Sequence, residues 1–194
     1  MNSGNIRVLG ISGSLRKGSY NTAALRAAQE LAPEGMIIET AAIADLPHYN
    51  DDLRAAGYPP EVARFRAQVA SADAVLFVTP EYNYSIPGVL KNAIDWASRP
   101  PEPAFSDKPV AIMGASGGIF GSARAQYQLR QMLVFLNAHA INKPEVMIGQ
   151  APTKFDEAGN LTDEQTKQFI RDLLLSLGIW TRRLRAPAAT MAAE

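Results

Sequence analysis

The 194 residues suffice for one domain with a continuous core that needs neither disulfides nor metal to hold it. Nineteen basic residues balance nineteen acidic ones, so charge gives no footing for a nucleic-acid or anionic-membrane partner. Cysteine is absent, which excludes disulfides, thiolate metal sites, iron–sulfur clusters and cysteine nucleophiles. No apolar run approaches the ~18 residues of a membrane span, and the N-terminus has no basic segment leading into an apolar one. The expectation is a cytoplasmic protein without a membrane partner.

Short β-branched runs alternate with helical stretches. Ile6–Ser12 is an apolar run closing on Gly and Ser, predicted as the first strand. Residues 21–32 carry Leu25, Ala28 and Leu31 on one face and stop at Pro33 and Gly35, as a first helix would. Residues 36–43 read as the second strand, and a loop rich in Pro, Asp and Tyr follows at 44–60. The second helix starts near Pro60 and places Val62, Phe65 and Val69 at helical spacing. Residues 74–79 are nearly all apolar, as in a strand covered on both faces. The third helix is predicted from about 87 to 98, the fourth strand at 110–115, the fourth helix at 122–138 and the fifth strand at 145–148. Thr162-Asp-Glu-Gln165 reads as a capping box opening a fifth helix that runs to about Leu184. The domain is thus expected over residues 1–185, with a small-residue tail at 186–194.

Five strands alternating with five helices give an α/β protein, a parallel sheet with helices on both faces. Five strands in this length favour the flavodoxin-like α/β/α sandwich, with strand order 2-1-3-4-5, over the longer Rossmann arrangement. Ligands in such sheets bind beyond the carboxyl ends of the strands, at the switch point between strands 1 and 3. The loops after strands 1, 3 and 4 are therefore the places to look.

After the first strand comes Gly10-Ile-Ser-Gly-Ser-Leu-Arg-Lys-Gly-Ser-Tyr-Asn21, leading into a helix. Glycines, hydroxyls and two cations at a helix N-terminus make an anion site. Ser14 and Ser19 offer hydroxyls, Arg16 a charge-assisted bond to phosphate, and Asn21 an N-cap. The loop is not Walker A, because Ser19 stands where that motif needs lysine after Gly18. Nor is it the dinucleotide fingerprint, because Gly10 and Gly13 are spaced wrongly. A solvated Ser/Gly turn remains the plain alternative.

The loop after the third strand, Thr79-Pro-Glu-Tyr-Asn-Tyr-Ser-Ile-Pro-Gly88, is stiffened by Pro80 and Pro87 and carries aromatic surface at Tyr82 and Tyr84. A flat, polar-edged ring system needs such a wall. Glu81 reads better as a carboxylate capping backbone than as a bare charge against a ring. Trp96 reads as core or subunit packing. After the fourth strand, Ala115-Ser-Gly-Gly-Ile-Phe-Gly-Ser122 repeats the glycine-loop arrangement, and its glycines allow close backbone approach to a flat ligand. His48 and His139 lie off all three loops, and no catalytic acid or base is expected.

The first-loop motif together with Pro80-Glu-Tyr-Asn-Tyr-Ser-Ile-Pro87-Gly88 and Leu90, Lys91, Asn92, Asp95 and Trp96 resembles the NADPH-dependent FMN reductase family, bacterial quinone, chromate and azo reductases above all. The likeness covers about residues 6–180. It implies tightly but non-covalently bound FMN, NADPH or NADH as co-substrate, and a homodimer or homotetramer. By position it implies that Ser14, Arg16, Ser19, Tyr20 and Asn21 hold the phosphate. It likewise implies that Pro80, Glu81, Tyr82 and Asn83 line the isoalloxazine and that Ser116 and Gly117 approach its other side. Arg124, Tyr127 and Glu145 match inter-subunit contacts of tetrameric relatives, or are simply solvated polar groups. The implied activity is ping-pong transfer from NAD(P)H to a small-molecule acceptor: a quinone, azo or nitro compound, flavin or chromate. The rival readings are a flavodoxin-like electron carrier, a redox-sensing flavoprotein, and a receiver domain, whose acidic strand ends are here Ser12-Gly13 and Thr79-Pro80.

Overall fold

The computed structural model describes residues 5–185; the tail predicted at 186–194 lies outside them. Strands β1 (Ile6–Ser12), β2 (Met36–Thr40), β3 (Ala74–Val78), β4 (Pro109–Ala115), β5 (His139–Ala140) and β6 (Val146–Ile148) alternate with helices α1 (Tyr20–Glu30), α2 (Asp51–Ala55), α3 (Pro60–Ser71), α4 (Gly88–Ala97), α5 (Ala123–Phe135) and α6 (Glu164–Arg185). All strand pairs are parallel, in the order β2-β1-β3-β4-β5, with β6 also on β4. The fold is the flavodoxin-like sandwich the alternation implied.

The layers follow from the pleat. Ala74, Leu76 and Val78 of β3 join Val8 of β1 and Met113 of β4 in one cluster, packed by Leu25 of α1 and Leu173 and Leu177 of α6. The intervening Val75 and Phe77 face the other way, with Ile11, Ile112, Phe65 of α3, Leu90 and Trp96 of α4, and Leu129 and Leu133 of α5. Both central strands are buried throughout, so they read as unbroken apolar runs. Trp96 lies in the core, and its indole N–H donates to Pro47 O at 2.8 Å.

Four details differ from the sequence expectation. The fifth sheet position is two short strands: β5 pairs with Pro109 and Val110, β6 with Met113 to Ala115, and the stretch between them contains Pro144, which has no N–H for a ladder. Strand β2 ends at Thr40; Ala41 N–H still bonds Gly10 O at 3.0 Å, and then the chain turns while keeping Ile43 buried. The predicted loop holds α2, capped by Asn50 Oδ1 accepting from Asp52 N–H at 2.8 Å. The predicted capping box does not form; the cap lies one residue later, with Asp163 accepting from Thr166 N–H at 2.9 Å, whereas the Thr162 hydroxyl donates to Lys154 O. Among the described residues no helix is long and apolar enough to cross a membrane.

Candidate functional site

Because β1, β3 and β4 are neighbours, the loops at their carboxyl ends meet. Gly13 N–H donates to Val78 O at 2.9 Å, and a Cβ at Gly13 would stand 3.3 Å from Pro80 Cδ, so the first loop runs closely against the end of β3 and the proline that follows it. Gly114 makes the end of β4 passable: a Cβ there would collide with Ser122 Oγ and Thr79 O at about 2 Å.

In the first loop, Ser19 rather than Asn21 is the N-cap of α1. Its Oγ accepts from Asn21 N–H at 3.2 Å and Thr22 N–H at 3.4 Å, which leaves the hydroxyl proton free for a ligand. The amides of Leu15, Lys17 and Gly18 make no hydrogen bond among the described residues. Arg16 and Lys17 have no acidic partner there either, and the Arg16 guanidinium lies over the Tyr20 ring at 5.5 Å. Tyr20 itself packs on Phe155, its ring centroid 5.4 Å away. Ser14 is half-buried at the loop's inner edge. Free amides, a hydroxyl, two cations and a helix N-terminus converge here. That donor set suits a phosphate dianion.

Asn21 departs from its expected role. Its side chain is turned inward, with Nδ2 donating to Ala115 O at 2.9 Å and Oδ1 accepting from Ala115 N–H at 2.8 Å. The resemblance placed it on the phosphate; the structure ties it to the end of β4.

The third loop is a two-residue turn. Tyr82 and Ser85 exchange backbone hydrogen bonds at 2.9 and 3.0 Å, and Asn83 and Tyr84 between them have φ of 51° and 64°. Positive φ at both central residues is the pattern of a type I′ turn, which suits Asn and strains Tyr. The strain is held from below. Glu81, its side chain only 7% exposed, accepts from Arg124 N–H at 3.0 Å and Ala125 N–H at 3.2 Å, capping α5, and pairs with the Arg124 guanidinium. That guanidinium also lies 3.9 Å from the Tyr84 ring centroid. The Glu81 carboxylate is therefore the cap foreseen for it, and any flavin contact from Glu81 falls to its backbone. Pro80 is buried, while Tyr82, Asn83 and Tyr84 are exposed at the rim.

In the fourth-strand loop, only Gly121 has positive φ (60°), and its Cβ would meet Met147 C at 2.8 Å. Gly117 is different: a Cβ there meets nothing within 4 Å, so its backbone faces open space beside the half-buried Ser116. The sequence reading missed what fixes this loop. The turn after β6 does so, with Ser116 N–H donating to Ile148 O at 3.0 Å, Gln150 N–H to Gly118 O at 2.9 Å and Ala151 N–H to Ser116 O at 3.0 Å. Gly149-Gln150, directly after the last strand, was the available signal. Asn92 and Trp96, one helical turn apart on α4, likewise hold the loop after β2. Asn92 accepts from Tyr49 N–H at 2.7 Å, and both side chains donate to Pro47 O. Tyr127 lies beside Glu145, whose carboxylate raises the phenol above its ordinary range, and Arg124 is already engaged within its own chain.

A cavity of about 560 Å³ between α3 and residues 101–108 lies away from these loops. Its cations are committed: Arg66 donates to the Trp96, Ala97 and Glu102 carbonyls, and Lys108, whose pKa burial lowers, to those of Ala70 and Ala72.

The profile of the NADPH-dependent FMN reductase family matches residues 6–153, a span holding all three loops. The chain belongs to this family. It is 62% identical to an NAD(P)H-dependent FMN reductase of Pseudomonas aeruginosa over 94% of this chain and 99% of that protein. It is 43% identical to a quinone reductase of Escherichia coli over 93% and 97%. Among solved structures, FerB, a flavoenzyme NAD(P)H:(acceptor) oxidoreductase of Paracoccus denitrificans, superposes with a TM-score of 0.84 at 38% identity, covering 92% of this chain and 98% of FerB. The chain is accordingly an NAD(P)H-dependent flavoprotein oxidoreductase with FMN as cofactor. The residues present suit that cofactor: the unpaired amides, hydroxyl and cations of the first loop match the needs of a phosphate, and the backbone at Gly117 is open to a flat ring.

Proposed function

We propose that the chain passes reducing equivalents from NAD(P)H through FMN to quinones by a ping-pong mechanism, working as a homodimer or homotetramer. One observation carries the reading. A donor-rich anion loop follows β1 and an open glycine loop follows β4 at the same end of the sheet, and the exposed Tyr82–Tyr84 turn follows β3, the strand between them. Quinones lead the acceptors because relatives at 43–53% identity are named for them; azo compounds, nitro compounds and chromate rest on the family likeness alone.

Ser14, Arg16, Ser19 and the free amides between them would hold the phosphate, assisted by the α1 dipole. Pro80, Tyr82, Asn83 and the Glu81 backbone would line the isoalloxazine, with Ser116 and Gly117 on its other side. When bound, FMN would supply the redox chemistry that links a nicotinamide donor to the acceptor. The chain's part is to place the two rings and balance their charge. No histidine is needed for this: His139 sits with Asp107 at the start of β4, the opposite end of the sheet, and His48 is exposed in the loop after β2.

The test is a visible spectrum of the purified protein with FMN. NADPH added without oxygen should bleach the flavin, and a quinone should restore it. A one-electron carrier would stay oxidised on mixing with NADPH, and a chain giving no flavin spectrum after FMN addition would end the reading.

A further inference from the structure

Strand β3 ends before β4 does. On the side of β4 facing β3, Thr79 N–H still donates to Met113 O at 3.0 Å, but the chain then turns away at Pro80. The next inward-pointing residue of β4 on that side is Ala115, 2% exposed, whose N–H and C=O would be orphaned. On the other side, the ladder continues through Ser116 N–H to Ile148 O. The orphaned pair is met by the Asn21 carboxamide, accepting from Ala115 N–H at 2.8 Å and donating to Ala115 O at 2.9 Å. A carboxamide has the donor–acceptor geometry of a peptide group, so one side chain takes the place of one more residue of β3. Asn21 is 4% exposed, and its own N–H is held by Ser19 Oγ at 3.2 Å. A second tie, Ser12 Oγ to Thr22 Oγ1 at 3.0 Å, fixes the same turn of α1 to β1.

We propose that Asn21 is a positioning residue, a surrogate strand that sets the Ser116–Gly118 backbone against the phosphate loop and so governs binding of the flavin ring rather than of its phosphate. The inference rests on the flavin reading above. Apolar packing also joins α1 to β4, but the Asn21 carboxamide supplies the hydrogen bonds that fix where the end of β4 lies against α1. If the amide is removed, Ala115 must find other partners, and the glycine loop shifts with it.

The experiment titrates the full chain, freed of flavin, with FMN and with riboflavin, which has the ring and no phosphate. Asn21→Ala should weaken both ligands by a similar factor, about tenfold, whereas Arg16→Ala should weaken FMN alone. Asn21→Asp keeps the shape and the acceptor but loses the donor at neutral pH. Its riboflavin affinity should fall and then recover on acidification, as the protonated carboxyl donates again to Ala115 O. Loss of FMN affinity with riboflavin untouched would make Asn21 a phosphate ligand and overturn the proposal. A lower Tm with both affinities unchanged would overturn it too, by leaving Asn21 a purely structural brace. A wild-type chain that binds neither ligand would instead remove the flavin reading itself.

Discussion

Eight of the nineteen lysines and arginines pair with a carboxylate among the described residues, Arg7 with Glu39, Arg54 with Asp51, Arg64 with Asp45 and Arg185 with Asp73 among them. Arg16 is not, and it projects beside three free amides and a free hydroxyl proton. A charge-assisted bond to phosphate contributes about 1.5–3 kcal/mol, so Arg16→Ala should weaken FMN roughly 10- to 100-fold, measured by quenching of flavin fluorescence. Unchanged FMN affinity would remove Arg16 from the phosphate. Glu81 works on the protein instead. It satisfies two donors at the start of α5 and anchors the guanidinium that stacks on Tyr84. Glu81→Ala should lower stability by about 1–3 kcal/mol in urea unfolding, and Glu81→Gln by less, since an amide oxygen still caps the helix. Equal losses for the two would mean that the ion pair with Arg124, rather than the cap, is what matters.

The strands and helices were legible because burial and periodicity agree along β1, β3, β4, α3 and α5, where each residue's face is fixed by sequence spacing. What escaped was set by partners distant in sequence. Ser19 and Asn21 are both good caps by type; only the open end of β4, 94 residues away, draws Asn21 inward and leaves the cap to Ser19. The split of the fifth strand likewise depends on which part of β4 remains unpaired. At α6 the ambiguity was local, since Thr162 and Asp163 are adjacent candidates. Asp163 prevails because Thr162 bonds Lys154 O across the turn that begins near Phe155. Replacing Asp163 with Ala should therefore destabilise the protein by about 1 kcal/mol, and Thr162→Ala by less. The Thr166 hydroxyl and N–H hold the Asp163 carboxyl below its ordinary value. Its folded pKa is thus depressed, so the cap's contribution is complete above about 3.9 and is lost as pH falls through the lower folded value. The gap between wild type and Asp163→Ala should narrow in acid; a gap constant from pH 7 to pH 3 would show that the carboxylate's charge plays no part.

At the scale of the molecule, both faces of the central strands are covered, but the end of α5 leaves apolar side chains open to water. On the α5 side, Val134 and Phe135 are 80% and 84% exposed, beside a cleft lined by Ile94, Met132 and Leu136 and edged by Lys91, Asp95 and Arg99. Two adjacent apolar side chains so open to water at the end of a helix are costly to leave uncovered. A second copy of the chain meets no net repulsion, because the formal charge is zero. The proposed homo-oligomer therefore predicts a light-scattering mass at least twice that of the chain at micromolar concentration. Val134→Asp combined with Phe135→Asp should shift that mass toward the monomer while leaving the far-ultraviolet circular dichroism unchanged, since neither side chain belongs to the core. Wild-type protein that runs as a monomer would overturn the assembly. An oligomer indifferent to both substitutions would place the interface elsewhere, on a face that does not include the end of α5.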